Sequence, residues 1–349
     1  MYKRNVLVTL ANKKYLKYAK QFFAGAYFNA GWHGDYLLLA HECNEKDTEW
    51  FKKKGIIVKD CKTIFNHKMA FTNHSIISKF YLFTDYFKKW DKVIYYDADV
   101  IIRSSLDKLI KVKGLGALNN CFNEKILDEL ISKEQAKKHG VDNVEYNNLF
   151  NSLKSNFDFK KNSFGAGMLA FNTGIIEKTT FSKLTQLVRK YSRIGRNADQ
   201  LALNLYFYKR WQKLSSVYDI YIYNNQSQWR ITAAKTRGIV LHFPGTIKPW
   251  SNISVFNKEW LKNTEKVENI DLNNIPVAEK WSNFDIIIYD FYLRLRGRRM
   301  LKSLAERIIF LIARSYYSLV HFVEKTSPIF FSILKVNKMK LLNIIKNSK

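Results

Sequence analysis

Between residues 6 and 60 the spacing of apolar positions switches repeatedly between the period of a strand and that of a helix. Val6-Leu7-Val8-Thr9-Leu10 reads as a buried strand, and Tyr15 to Ala30 then carries apolar residues at helical spacing and stops at Gly31. Asp35 to Ala40 predicts a second strand, Asp47 to Lys54 a short helix ending at Gly55, and Ile56-Ile57-Val58 a third strand. Strands separated by helices imply a parallel sheet with helices on its faces. Phe71 to Trp90 is again helical and leads into a strand, Val93 to Ile102, that contains Asp97 and Asp99. Residues 121 to 160 are polar and predict a helical insertion without strands. Ser163 to Gly174 predicts a glycine-punctuated strand followed by a helix to about Arg193, and Asn197 to Trp211 a further helix with Asp199 near its start. Ile239 to His242 predicts a strand that leaves into a tight loop ending at Trp250.

The two acids stand out against this pattern. Side chains alternate across a strand, so Asp97 and Asp99 are expected on one face. Two carboxylates in a buried run repel each other and lose hydration, at a cost of roughly several kcal/mol per ion unless compensated. A divalent cation is the simplest compensation, because hard cations take carboxylate oxygens. The alternative is that they mark the strand's end, one capping a helix and one facing solvent. Their position at a strand's carboxyl end is where open α/β sheets gather ligands.

Composition narrows the class. The 349 residues suffice for one large domain or two, and 47% apolar with 15% aromatic content excludes disorder. Cys43, Cys61 and Cys121 form no C-x-x-C pair, which predicts a reducing compartment without disulfides or a cysteine zinc site. The first residues hold too short an apolar run for a secretory signal, and no window of about 18 uninterrupted apolar residues predicts a membrane span. The net charge of +28 fits nucleic acid, anionic lipid or anionic substrates. Phe291 to Lys349 carries thirteen Lys/Arg against two Glu and is rich in Ile, Leu and Phe, the composition of a basic amphipathic helix at an anionic membrane surface. A helix packed on the rest of the chain, with its lysines in water, has the same composition. No helix-turn-helix, zinc finger or RNA-binding sheet motif supports a nucleic-acid partner.

A histidine at a strand's end, Pro-Gly to turn the backbone, then Lys248-Pro249-Trp250 add a metal ligand followed by a fixed cation. Asp97, Asp99 and His242 make an oxygen/oxygen/nitrogen set that suits Mn²⁺ better than Mg²⁺. With these residues the chain resembles the family 8 retaining glycosyltransferases, which include glycogenin and bacterial lipopolysaccharide galactosyl- and glucosyltransferases. The matching stretches are Thr9 to Tyr15, Ser78-Lys79, Tyr95 to Val100, Phe164 to Leu169, Asp199-Gln200 with Asn204, and His242 to Trp250. They follow the family's order over roughly residues 5 to 255.

The resemblance implies a Rossmann-like GT-A fold with a mostly parallel sheet over residues 1–270, and a linker with a basic helical tail over 271–349. Asp97, Asp99 and His242 would hold Mn²⁺ against the diphosphate of a UDP-sugar, with Mg²⁺ as the alternative ion. Lys248 and the Gly245 backbone would touch the diphosphate, Leu10, Asn12 and Tyr15 the uridine, and Ala98 would lie in the donor site between the two acids. Lys79 would reach the sugar or its phosphate, Asp199 the sugar hydroxyls, and Gln200 the sugar face opposite the leaving group. Many members read Asn-Ala-Gly where this chain has Gly165-Ala166-Gly167; the glycine leaves room or a missing hydrogen bond at the donor sugar. The implied reaction moves glucose or galactose, with retention, to a saccharide or glycolipid such as lipopolysaccharide core. The implied location is cytoplasmic, on the inner face of the membrane through the tail. A two-metal phosphoryltransferase and an inactive sugar-nucleotide binder use the same acids and remain open.

Overall fold

A computed structural model describes residues 4–65, 74–119, 125–227 and 236–297, the side chains of 294–297 excepted. The tail beyond residue 297 and Cys121 lie outside the described residues. In chain order the strands are β1 (Asn5–Asn12), β2 (Asp35–His41), β3 (Ile57–Cys61), β4 (Lys92–Asp97), β5 (Val100–Ile102), β6 (Leu115–Ala117), β7 (Met168–Asn172), β8 (Trp211–Lys213), β9 (Ile220–Tyr223), β10 (Gln226–Ser227) and β11 (Val240–His242). The main sheet runs β3-β2-β1-β4-β7-β6-β8, and a smaller one runs β10-β9-β11-β5. β1 pairs in parallel with β2 and β4, and β2 with β3, whereas β7 is antiparallel to both β4 and β6.

The parallel half arises as the apolar spacing implies, each strand returning through a helical crossover. Both faces of the sheet are covered, which is why its strands are apolar almost without interruption. Leu7 and Leu38 pack with Phe22 and Phe23 of helix Leu16–Ala24 on one face. Val6, Val8 and Leu37 pack with Phe80, Phe83 and Trp90 on the other. Helix Leu16–Ala24 continues as one π-turn, Gly25–Asn29, and ends at Gly31 with φ of +54°. A side chain at Gly31 would stand 2.6 Å from the Pro276 carbonyl oxygen, so this position needs glycine both for its backbone and for the close approach.

Three expectations are corrected. The single strand Val93 to Ile102 is two strands in different sheets: the Asp97 amide donates to the Gly167 carbonyl, and Phe243 donates to the Asp99 carbonyl, so the chain changes partners between the acids. A bend, not strand alternation, therefore sets where the two carboxylates point. Of the helix predicted from Phe71 to Trp90, residues 71–73 lie outside the described residues and the rest is a single turn, His74–Ile77, followed by tighter 3₁₀ segments that break at an extended Thr84, whose hydroxyl donates to the Tyr81 carbonyl. Of the strand predicted over Ser163 to Gly174 only β7 forms, because side chains of helix Ala198–Tyr206 take the backbone of 164–166. Strands β6, β8, β9 and β10 are two to four residues long, too short to register as a period.

Residues 125–160 form helices Lys133–Lys138 and Asn143–Asn156 and a small core of their own, in which Ile126, Leu130 and Leu153 meet Leu201 and Leu205. The segment from 271 onward lies against the body. Tyr27 donates to the Asn274 carbonyl at 2.6 Å, Asp290 of helix Asn283–Gly297 accepts from the Ser216 amide at 2.8 Å, and Tyr289 accepts from the Arg237 amide. Phe284, Ile288 and Leu293 are buried in that contact. Among the described residues no helix is long and apolar enough to cross a membrane. If helix Asn283–Gly297 is part of the folding unit, Leu293→Ala should cost about 2–5 kcal/mol in urea unfolding, while half-exposed Ile287→Ala should stay within about 0.5 kcal/mol.

Candidate functional site

The carboxyl ends of β1 and β4, the turn into β5, the loop before β7 and the start of helix Ala198–Tyr206 surround a cavity of about 780 Å³. Leu10, Asn12, Tyr15, Lys79, Asp97, Ala98, Asp99, Ala166, Gly167, Asp199, Gln200, His242 and Lys248 all line it. Gly165 and Gly245 lie behind its wall. A side chain at Gly165 would meet the Tyr221 hydroxyl at 2.2 Å, and one at Gly245 the Tyr223 ring at 2.9 Å, and both tyrosines face the cavity. The glycine at 165 therefore opens no void: a phenol delivered by β9 fills it.

His242 ends β11, and the antiparallel register sets it opposite Val100, next to Asp99. Ligand atoms of Asp97, Asp99 and His242 lie within 4.8 Å of one another. His242 Nε2 stands 3.3 Å from Asp99 Oδ1, and Nδ1 stands 3.0 Å from Asp219 Oδ1. A Cβ at Gly167 would come within 2.3 Å of the His242 ring and 3.1 Å of Asp97 Oδ2, so only glycine lets these groups converge. Two carboxylates and an imidazole converging on one point are a donor set that can hold a divalent cation. Asp219 supplies the outer partner that fixes ring orientation and tautomer for a metal-facing Nε2.

Lysines balance the remaining charge. Lys79, fully buried, places Nζ 3.1 Å from Asp199 Oδ2 and 3.4 Å from Asp97 Oδ1. Burial alone would lower its pKa, but the two carboxylates outweigh it and hold the ammonium above its ordinary value. Lys248 Nζ donates at 2.6 Å to Asp99 Oδ2 and at 2.6 Å to the Phe243 carbonyl. Burial would raise the Asp99 pKa, but His242 and Lys248 reverse the sign and hold it below the usual carboxylate range. His242 is pushed up to about 10, since Asp219 and Asp99 on either side overcome the opposing effect of burial. Burial keeps the Asp219 pKa above its ordinary value. The Tyr95 hydroxyl donates to Asp97 Oδ1, and burial beside that carboxylate keeps the phenol protonated.

Tyr15, also on the cavity wall, is 38% exposed and rests edge-on against Tyr18 and Trp250, which stack on each other at 3.6 Å. The aromatic base explains why Pro249-Trp250 follows Lys248 closely: the tryptophan anchors the loop that carries the cation. Asn12 Oδ1 accepts from the Lys14 amide and its carbonyl from the Tyr15 amide, which shapes the turn presenting that ring.

Four residues escape a reading of the sequence. Asp219, Tyr221, Arg196 and Glu129 stand at or directly behind the cavity wall, yet no spacing relates them to the motifs. The alternation Ile220-Tyr221-Ile222-Tyr223 is the one local signal that could have disclosed β9 and, with it, Asp219 at its entrance.

The family model described as Glycosyl transferase family 8 matches residues 7–254. Glycosyltransferase GlyB of Streptococcus pneumoniae serotype 4 is 24% identical over 197 residues, covering 52% of this chain and 40% of that protein. The solved galactosyltransferase LgtC, in complex with donor and acceptor sugar analogs, superposes with a TM-score of 0.52 at 17% identity, over 78% of this chain and 97% of that one. The glycosyltransferase GlyE of Streptococcus pneumoniae TIGR4 superposes with a TM-score of 0.52 at 20% identity, over 80% and 66%. The bifunctional glycosyltransferase WbbM gives 0.54 at 15%, over 77% and 52%. This chain thus spans about two-fifths of GlyB and about half of WbbM. At these identities the structural likeness shows the fold, which is of the GT-A type.

Asp219→Asn, which removes the charge behind His242 and leaves its shape, should weaken divalent-cation binding by roughly 10–100-fold in calorimetric titration. Unchanged affinity would mean that His242 needs no outer partner.

Proposed function

The chain belongs to glycosyl transferase family 8, and from that premise we propose that it is a retaining hexosyltransferase. It takes glucose or galactose from a UDP-sugar and passes it to a saccharide or glycolipid acceptor, with Mn²⁺ bound by Asp97, Asp99 and His242. The observation that carries this reading is the convergence of those three side chains with Lys248 in a cavity that Tyr15, seated on an aromatic base, also lines. A cation held by the three ligands would meet a diphosphate, and the Tyr15 ring would meet a base. LgtC is a galactosyltransferase solved with donor and acceptor sugar analogs, and the likeness to it supports the donor class.

The groups divide the work by where charge develops. Breaking the anomeric bond leaves negative charge on the departing diphosphate. A divalent cation bound there supplies positive charge to that leaving group. Lys248, bonded to Asp99 and to a backbone carbonyl, is held beside it as a fixed ammonium. Asp199 is buried, tied to Lys79, and has acceptor oxygens to offer sugar hydroxyls. Gln200 is an amide and a poor nucleophile, so transfer on the leaving-group face, with the leaving phosphate taking the acceptor's proton, accounts best for retention. The Tyr221 hydroxyl takes the place a side chain at 165 would have, and brings a phenol to the sugar in its stead.

Thermal-shift titration with UDP-Glc, UDP-Gal, UDP-GlcNAc and UDP-GalNAc in Mn²⁺ tests the donor: one UDP-hexose should raise Tm, and EDTA should abolish the shift. Asp97→Ala should lose UDP-sugar turnover by on the order of 10²–10³-fold or more, together with stimulation by Mn²⁺. Full turnover in that variant would sink the assignment.

A further inference from the structure

Behind the cavity wall lies a carboxylate that the reaction outlined above does not use. Glu129 closes the short turn Ile126–Glu129 in the excursion between β6 and β7, and it is fully buried. Both of its oxygens accept from Gln200 Nε2, at 2.9 and 2.8 Å. Its backbone carbonyl accepts from the Arg196 amide at 2.8 Å, so the turn is fastened to the segment that opens helix Ala198–Tyr206.

The other end of the Gln200 amide is equally determined. Oε1 accepts from the Ala166 amide at 3.0 Å, and a backbone N–H can only donate. One turn along the helix, Asn204 holds the same loop by accepting from the Phe164 amide and donating to its carbonyl, both at 2.8 Å. A carboxylate with both oxygens against Nε2 on one side and a backbone donor to Oε1 on the other fix the orientation of the amide. Gln200 lines the cavity, and with Glu129 on one side of Nε2 the amide has the remaining lone pair of Oε1 and its second N–H to offer there.

We propose that Glu129 is a positioning residue for sugar transfer: it fixes the Gln200 amide and polarises it, so that Oε1 presents enhanced negative charge to the donor sugar. A carboxylate is more costly to bury than a neutral acceptor, and a neutral acceptor would serve if orientation were the whole task. What the charge adds is polarisation: hydrogen bonds in a chain strengthen one another in a low-dielectric interior, and density drawn to Oε1 favours a sugar becoming electron-poor as its bond to diphosphate breaks. The proposal rests on the reading of the cavity as a sugar-donor site.

Steady-state hydrolysis of the UDP-sugar by the full chain with Mn²⁺ tests it. Glu129→Gln should lower kcat roughly ten- to a hundred-fold, with KM for the donor and Tm unchanged. In a Gln200→Ala background the same change should cost nothing further, because the two residues act as one unit. Wild-type kcat in Glu129→Gln, or losses that simply add, would overturn the proposal. Glu129→Asp, which keeps the charge but withdraws it, should fall between wild type and Glu129→Gln. If neither variant folds, Glu129 is a structural residue and the proposal fails. Should the wild type itself turn over no UDP-sugar, the donor reading falls, and hydrogen exchange of the Gln200 side-chain amide still decides the contact. That amide should be protected in wild type and exposed in Glu129→Gln; equal protection in both would overturn the positioning role.

Discussion

Four carboxylates, those of Asp97, Asp99, Asp199 and Asp219, crowd the carboxyl end of the central sheet, three of them buried, and their mutual repulsion is the constraint around which this molecule is arranged. Lys79, Lys248 and His242 answer it, each placed between two acceptors rather than beside one. A cation on Nε2 would take the place of the proton His242 holds there, leaving two ammonium groups against four carboxylates, an excess of negative charge that a divalent ion would complete. The counter-charges come from two distant stretches, Lys79 from one and His242 with Lys248 from the other, so the cluster can form only when both sheets and the helical layer are in place. The charge balance is thus a product of the tertiary fold and also a tie between its parts.

The change of sheet between Asp97 and Asp99 is the geometric device that makes this possible. A continuous strand would carry the two acids along one face at a fixed pleat spacing. The bend instead sends Asp97 toward Lys79 and the loop before β7, and Asp99 toward β11 with His242 and Lys248. Gly167 then becomes obligatory, because the two halves close to a separation that leaves no space for a methyl group. The same economy recurs at Gly165, where the absent side chain makes room for Tyr221 from the smaller sheet.

The excursion over residues 125–160 contributes more than cover. Its small core docks on Leu201 and Leu205, and that docking brings Glu129 under Gln200. Helix Ala198–Tyr206 is therefore held from two sides, by the excursion below and by the loop 164–166 through Gln200 and Asn204. Helix Asn283–Gly297 closes the far side of the smaller sheet, with Asp290 bonded just before β9, the strand that begins after Asp219. Positions that align His242 are thereby linked to a part of the chain well outside the motifs.

What the sequence determined by itself were features written locally. The parallel half of the sheet is legible because strand and helix periods repeat over runs long enough to count. Asp97, Asp99, His242 and Lys248 are legible because residue type and turn chemistry announce them, and Asp199 with Gln200 because the family's pattern of motifs reaches them. What only the tertiary structure decided were relations between distant segments: the break between β4 and β5, the pairing of Asp219 with His242, the Tyr221 phenol behind Gly165, and Glu129 beneath Gln200. A hydrogen bond between residues 71 positions apart leaves no period and no spacing, and short strands such as β6 and β10 exist only because neighbours supply their partners. Local preference can shape an element, but a buried charge finds its partner only where packing brings the two together.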